Sequence, residues 1–215
     1  MAIRVYDYRT DIRNLEITPE VRSRFIYLEP HEVHTRHSHD LGHEVFLVLD
    51  GHVRFDVDGE TVDLLPGNFC LVRANQLHQA SNPEDAPATM YLSVTPHIEP
   101  THTMWDEHGQ KLPPRYGGST AKERAEQSEP GPGIAELVER QRGALRALVA
   151  AVQAAAVDQD RLLDRLHSGS GATPDREAFQ ATLDALWERL FPIFRDSAAL
   201  AGAWNAVAVS APPGS

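Results

Sequence analysis

The spacing of apolar and polar positions changes character along this chain. Up to about residue 108 the apolar residues come in short strand-length runs rich in β-branched and aromatic side chains: 3–8 (IRVYDY), 24–29 (RFIYLE), 44–50 (EVFLVLD), 52–58 (HVRFDVD), 68–73 (NFCLVR) and 89–94 (TMYLSV). Asp50-Gly51, Asp58-Gly59 and Pro66-Gly67 punctuate them as turn signals. Many short strands with turns between them point to an antiparallel sandwich or small barrel over residues 1–108. Residues 109–133 are rich in Pro, Gly and charge and read as a linker or long surface loop. From Ile134 the period becomes helical. Leu145, Leu148, Val152, Ala155, Leu162 and Leu166 recur at three- and four-residue steps or their sums. The break SGSGA (168–172) follows, and Thr173-Pro174 supplies an N-cap and first-turn pair for a second helix. Phe179, Leu183, Leu186 and Leu190 are expected to line one face of that helix. Pro192 is expected to end or kink it, leaving a short third segment around Leu200 and Trp204.

Composition narrows what such a chain can do. Of 215 residues, 41% are apolar and 24% charged, which is enough apolar surface for a packed core. The formal net charge of −11 argues against a nucleic-acid backbone or an anionic membrane surface as partner. Residues 134–215 hold 8 Arg, no Lys and 10 acidic residues, so no basic recognition helix is evident there. The single cysteine, Cys70, excludes an internal disulfide. It reads first as a small core residue and alternatively as a thiol near a site. The opening MAIRVYDYRTD lacks the apolar run of a signal peptide, and no run is long enough to cross a bilayer, so a cytoplasmic protein is expected.

Histidine changes the picture. Five of the 11 histidines fall within residues 31–43. His37 and His39 are two apart, so on a strand both point to one face. Glu44 opens the apolar run VFLVL and sets a carboxylate at the mouth of a buried strand. A second block follows with Gly67, His78 and Asn82. Imidazoles and a carboxylate converging inside a barrel form a mixed nitrogen and oxygen donor set suited to a divalent first-row metal. Burying them without one would leave several polar groups unsatisfied. The other histidines (His31, His34, His43, His52, His97, His102, His108, His167) read as ordinary surface or core residues, with His102 and His108 near enough to the linker to cover a pocket mouth.

The run HSHDLGHEVFLVLDG resembles the first motif of the cupin superfamily, HxHx(3,4)Ex(6)G. The run GNFCLVRANQLHQASN resembles the second, Gx(5)PxGx(2)Hx(3)N. The resemblance covers roughly residues 25–95 and implies an antiparallel β-sandwich or jelly-roll barrel, here followed by an α-helical C-terminal region. Carried over by position, His37, His39, Glu44 and His78 match the four metal ligands of the family, and Gly51, Gly67 and Asn82 its structural positions. His31 stands where the family has a glycine before the first ligand, and Arg73 and Asn75 replace the Pro and Gly of the second motif. Asn tolerates a left-handed backbone, so the turn at Asn75 is expected to survive.

One divalent transition metal per chain is therefore expected, with Fe, Mn, Ni, Zn and Cu not distinguished by sequence. Three neutral imidazoles and one carboxylate leave a divalent ion with one net positive charge, and an octahedral ion would keep two open positions. Both features suit a small anionic organic substrate. The first functional reading is an oxygenase of the mononuclear dioxygenase type. A non-redox isomerase, epimerase or lyase is the alternative, and a metabolite-binding protein without turnover is a third. No catalytic acid or base is assigned. Phe46 should share the inward face of Glu44, and Tyr27, Arg36 and Tyr91 are candidate pocket residues. The helical region 134–215 is expected to form a hairpin with a short tail, docked on the barrel or building a homodimer.

Overall fold

The computed structural model describes residues 3–120, 131–168 and 176–210. Its strands are β1 (Asn14–Ile17), β2 (Arg22–Leu28), β3 (His37–Ser38), β4 (His43–Asp50), β5 (Val53–Val57), β6 (Glu60–Leu64), β7 (Phe69–Val72), β8 (His78–Ser81), β9 (Ala88–Thr95) and β10 (Thr103–Met104). Two antiparallel five-stranded sheets result, ordered β1-β2-β9-β4-β7 and β10-β3-β8-β5-β6. The helices α1 (Ile134–Ser168) and α2 (Arg176–Ala208) follow. The chain divides into two compact units, Met1–Gly131 with Ala208–Ser215, and Pro132–Val207.

Alternation decides which side of each strand faces the core. Along β4, Glu44, Phe46 and Val48 are buried while Val45 and Leu47 are only half-buried. Neighbouring strands are in register with that face: Phe46 lies opposite Leu92, and Val48 opposite Met90. Phe55, Val53 and Ala80 come from the other sheet, and the two inner faces meet in one apolar cluster with Leu28, Val72 and Val94. Phe46 and Phe55 pack with ring centroids 4.5 Å apart across that cluster.

The turns carry the signals expected of them. Asp58 and Gly59 hold φ of 52° and 88°, the two left-handed residues that a tight hairpin between β5 and β6 requires. Asn75 holds φ of 67°, so it performs the turn for which the cupin motif has glycine, and His31 does likewise at 60°. Asn82 is buried and donates its amide to the carbonyls of Glu29 at 3.1 Å and Ala86 at 2.8 Å, tying β8 to the chain on both sides.

Several expectations are corrected. Residues 3–8 form no strand, and Ile3 and Val5 are 93% and 89% exposed. The carbonyl of Asp7 accepts from the amides of Thr10 and Asp11, closing a turn, and β1 takes the sheet edge instead. Pro192 does not end a helix, because α2 runs through it to Ala208 and includes Leu200 and Trp204. Proline removes one backbone bond at a cost of about 3 kcal/mol, and the alanine-rich turns that follow favour helix strongly enough to continue.

Along α1 the less exposed positions are Leu137, Gln141, Ala144, Leu148, Ala151, Ala155, Asp158 and Leu162, spaced alternately by four and three. Such an alternation averages about 3.5 residues per step, the period of helices that coil on each other. Leu148, Ala155 and Leu162 therefore face inward as expected, whereas Leu145 and Val152 lie off the seam and are largely exposed. In α2, Leu186 and Leu190 are half-buried, but Phe179 and Leu183 are exposed. Arg189 of α2 reaches Asp158 of α1 at 3.0 Å. The Thr173-Pro174 cap, most of the SGSGA break, the centre of the 109–133 segment and the side chain of Leu166 lie outside the described residues.

Candidate metal centre

Short local elements bring four donor side chains to one point inside the barrel. His37 on β3 lies opposite His78 on β8. His39 follows two residues after His37, and the buried Ser38 between them accepts a hydrogen bond from Trp105 Nε1 at 3.0 Å. Glu44 enters from β4, in the opposite sheet. One donor atom from each of His37, His39, Glu44 and His78 lies within 4.8 Å of all the others. His39, Glu44 and His78 are buried, and His37 forms the more open side.

The hydrogen bonds around this cluster define its chemistry. His37 Nδ1 donates to the Thr35 carbonyl at 2.8 Å, His39 Nδ1 to the Thr101 carbonyl at 2.5 Å, and His78 Nδ1 to the Gln76 carbonyl at 3.0 Å. A carbonyl oxygen only accepts, so each Nδ1 carries its ring's proton and each neutral ring keeps a bare lone pair on Nε2. Yet the Nε2 atoms of His39 and His78 stand 2.8 Å and 3.0 Å from the same oxygen, Glu44 Oε2. Two lone pairs aimed at one carboxylate oxygen repel unless positive charge lies between them.

Protons on those nitrogens would supply that charge only by making imidazolium ions in a buried site. Burial, with repulsion from His78, already pushes His37 down to about 4. The donor set therefore fits a divalent cation. Two donors bound at right angles to one ion, each about 2.1 Å from it, stand about 3.0 Å apart, which agrees with both contacts to Glu44.

A cavity of about 560 Å³ opens on the His37 side. Phe46 lines it, with its ring centroid 6.1 Å from that of His78. Tyr27 also lines it, from an exposed position. Arg36 does not. Its guanidinium binds Asp56 at 3.0 Å, away from the cavity. Tyr91 does not either, because register places it opposite Phe25 and Leu47 on the outer face, where it packs edge-on against Phe25 at 6.1 Å. Cys70 lies opposite Phe46 and packs half-buried against the core, where burial raises its thiol; it does not line the cavity. His108 is exposed beside Glu107.

Several contributors were not singled out by sequence reasoning. Arg22, Arg24 and His34 line the cavity, and the Thr101 carbonyl orients His39. His102 does cover the cavity, with ring centroids 4.7 Å from His37 and 5.0 Å from His39. Burial and the two neighbouring rings push His102 down to about 2, so it is a neutral imidazole. The signal for Arg22 and Arg24 was their alternation with Ile26 and Leu28, obscured because Phe25 and Tyr27 make the other parity look equally apolar.

Residues 24–95 match the family model described as a cupin domain. A search of curated proteins finds no match. Among solved structures, the chain is similar to an uncharacterized conserved protein with a double-stranded β-helix domain from Klebsiella pneumoniae (18% identity, 44% of this chain and 91% of that one, TM-score 0.42). It is also similar to a Cupin 2 conserved barrel domain protein from Salinispora arenicola (21% identity, 44% and 88% coverage, TM-score 0.38). A salicylate 1,2-dioxygenase from Pseudaminobacter salicylatoxidans aligns at 24% identity over 36% of this chain and 22% of its own, with a TM-score of 0.35. No helix among the described residues is long and apolar enough to cross a membrane.

Proposed function

Taking residues 24–95 as a cupin domain, we propose that the barrel binds one divalent transition metal per chain through His37, His39, Glu44 and His78 and acts on a small anionic organic molecule, as an oxygenase. The observation that carries this reading is the convergence of the Nε2 atoms of His39 and His78 on one buried carboxylate oxygen, beside a cavity large enough for a substrate. Iron or manganese bound there would supply activation of dioxygen and substrate, whereas nickel or zinc would supply Lewis-acid polarisation.

The chain's own residues do the rest. The carbonyls of Thr35, Thr101 and Gln76 fix the three imidazoles in the tautomer that presents Nε2. Phe46, Met90 and Leu92 form an apolar wall that limits water around a bound substrate. Three neutral imidazoles and one carboxylate leave a divalent ion with net positive charge, which favours an anionic ligand.

A non-redox isomerase or lyase is the second reading, and one observation favours it. The same four donors would also hold nickel or zinc, whose Lewis-acid polarisation serves such a reaction without dioxygen. Elemental analysis of the purified protein, followed by nitric oxide addition to the anaerobic Fe(II) form, tests the primary reading. The expected result is about one metal per chain and a new absorption band, because four protein ligands leave octahedral positions open. A metal-loaded protein whose spectrum is unchanged by nitric oxide or azide would remove the oxygenase assignment.

A further inference from the structure

Two arginines face the same cavity from β2. Strand parity puts Arg22, Arg24 and Ile26 on the inner face, and all three line the cavity. Arg22 is only 2% exposed, and Arg24 is half-buried. Register relates them to the donor cluster: Arg22 lies opposite Val94, which lies opposite Glu44, while Arg24 lies opposite Leu92, which lies opposite Phe46. The backbone of Arg22 is thus two strand spacings, about 10 Å, from that of Glu44. Only the short side chain of Val94 stands between them in that row.

The charge of this wall contrasts with the rest of the molecule. Among the described residues, the Arg, Lys, Asp and Glu side chains lining the cavity are Arg22, Arg24, Glu32 and Glu44. Glu44 faces the imidazoles, and Glu32 stands 3.3 Å from His34 Nε2. A guanidinium stays cationic across the accessible pH range, so Arg22 and Arg24 present fixed positive charge to the cavity they line. A divalent ion at the donor cluster would add positive charge beside Arg22 and Arg24, in a chain whose net charge is −11.

We propose that Arg22 and Arg24 bind the acid end of the substrate, so that the ligand is a two-ended organic acid with oxygen donors at the metal and a carboxylate at the β2 wall. This inference rests on the metal-centre reading. A planar guanidinium presents paired donors that match a carboxylate, and such charge-assisted bonds gain strength in a recess lined by Phe46, Met90 and Leu92. Neutral chelators would engage the metal end alone.

The test compares two hydroxamates that chelate metal identically. Butyrohydroxamate ends in a methyl group, and succinic monohydroxamate places a carboxylate at the same position. Binding to the Co(II)-loaded full chain is followed by visible absorption. Wild-type protein is expected to bind the succinic form about tenfold or more tightly than the butyric form. Arg22→Met and Arg24→Met should each reduce that preference while leaving butyrohydroxamate affinity unchanged. Arg24 is half-buried, so its variant keeps the test open if Arg22→Met does not fold. Equal affinities in wild type, or a preference undiminished in Arg24→Met, would overturn the inference while leaving the metal centre intact. Failure of both hydroxamates to shift the cobalt spectrum would instead overturn the metal-centre reading, and this inference with it.

Discussion

Two glycines with almost the same backbone conformation should respond very differently to a single methyl group. Gly51 closes the β4–β5 turn with φ of 77°, and Gly59 closes the β5–β6 hairpin with φ of 88°. Alanine at either position is strained by about 1–2 kcal/mol, because a Cβ disfavours the left-handed region. At Gly59 a Cβ would meet nothing within 4 Å, so that strain is the whole cost. At Gly51 it would stand 2.6 Å from the Pro87 carbonyl oxygen, 2.7 Å from Ala88 Cα and 2.8 Å from Ala88 Cβ. Two of these contacts are with backbone at the start of β9, which is hydrogen-bonded to both β2 and β4 and has little freedom to withdraw. Overpacking of this kind adds about 1–3 kcal/mol, so Gly51→Ala should cost about 2–5 kcal/mol and Gly59→Ala about 1–2 kcal/mol. Urea unfolding followed by near-ultraviolet circular dichroism, at fixed metal loading, measures both. Gly51 follows the end of β4 that lies away from Glu44, so the folded Gly51→Ala protein should retain wild-type metal content. Equal midpoints for the two variants would show that β9 yields freely and that the close approach carries no energetic weight.

Other outcomes follow from the same geometry. His39→Ala and His78→Ala should each lose metal in elemental analysis and lose the rise in melting temperature that metal confers on wild type, since binding to the folded state stabilises it; full occupancy in a His37→Ala/His78→Ala protein would contradict the ligand assignment. His52 is raised above its ordinary value by a hydrogen bond to Glu84 at 2.7 Å and by Asp63 at 3.1 Å. Its stabilisation is therefore complete below the unfolded value of about 6.5 and lost as pH rises through the folded value. His52→Gln should accordingly lower stability near pH 5.5 and have little effect near pH 8.5; an equal loss at both would refute the charge-based account. Trp187, Phe191 and Phe194 leave an aromatic cluster exposed on α2. Wild-type protein is expected to be a homodimer in analytical ultracentrifugation and a Trp187→Glu/Phe191→Glu variant a monomer; a monomeric wild type would exclude a dimer built on this face.

How much was legible in the sequence depended on how local each decision is. The inward parity of Glu44, Phe46 and Val48 is a property of one strand, readable from the alternation of EVFLVLD, and β4 follows it. The Asp58-Gly59 hairpin and the left-handed Asn75 are turn chemistry confined to a few residues. The run 3–8 shows the opposite case. Its composition suits a strand, but the Asp7 carbonyl accepts from the amides of Thr10 and Asp11 to close a turn, and it is β1 that pairs with β2. Pro192 is similar, since a rule about one residue was outweighed by the helical preference of the many residues around it.

The spacing of His37, His39, Glu44 and His78, by itself, determined which side chains could form a donor set, because the first three lie within eight residues of chain and His78 has a short motif of its own. Only the tertiary structure decided what surrounds that set. Sheet order β2-β9-β4 brings Arg22 and Arg24 across from Glu44 and Phe46, although β9 follows β4 by almost forty residues in the chain. The same assembly carries the Thr101 carbonyl to His39 and the His102 ring over His37. It also turns Tyr91 outward and Arg36 toward Asp56. The physical reason is that strand pairing and register are cooperative choices among distant segments, whereas alternation and turn chemistry are settled within a few residues.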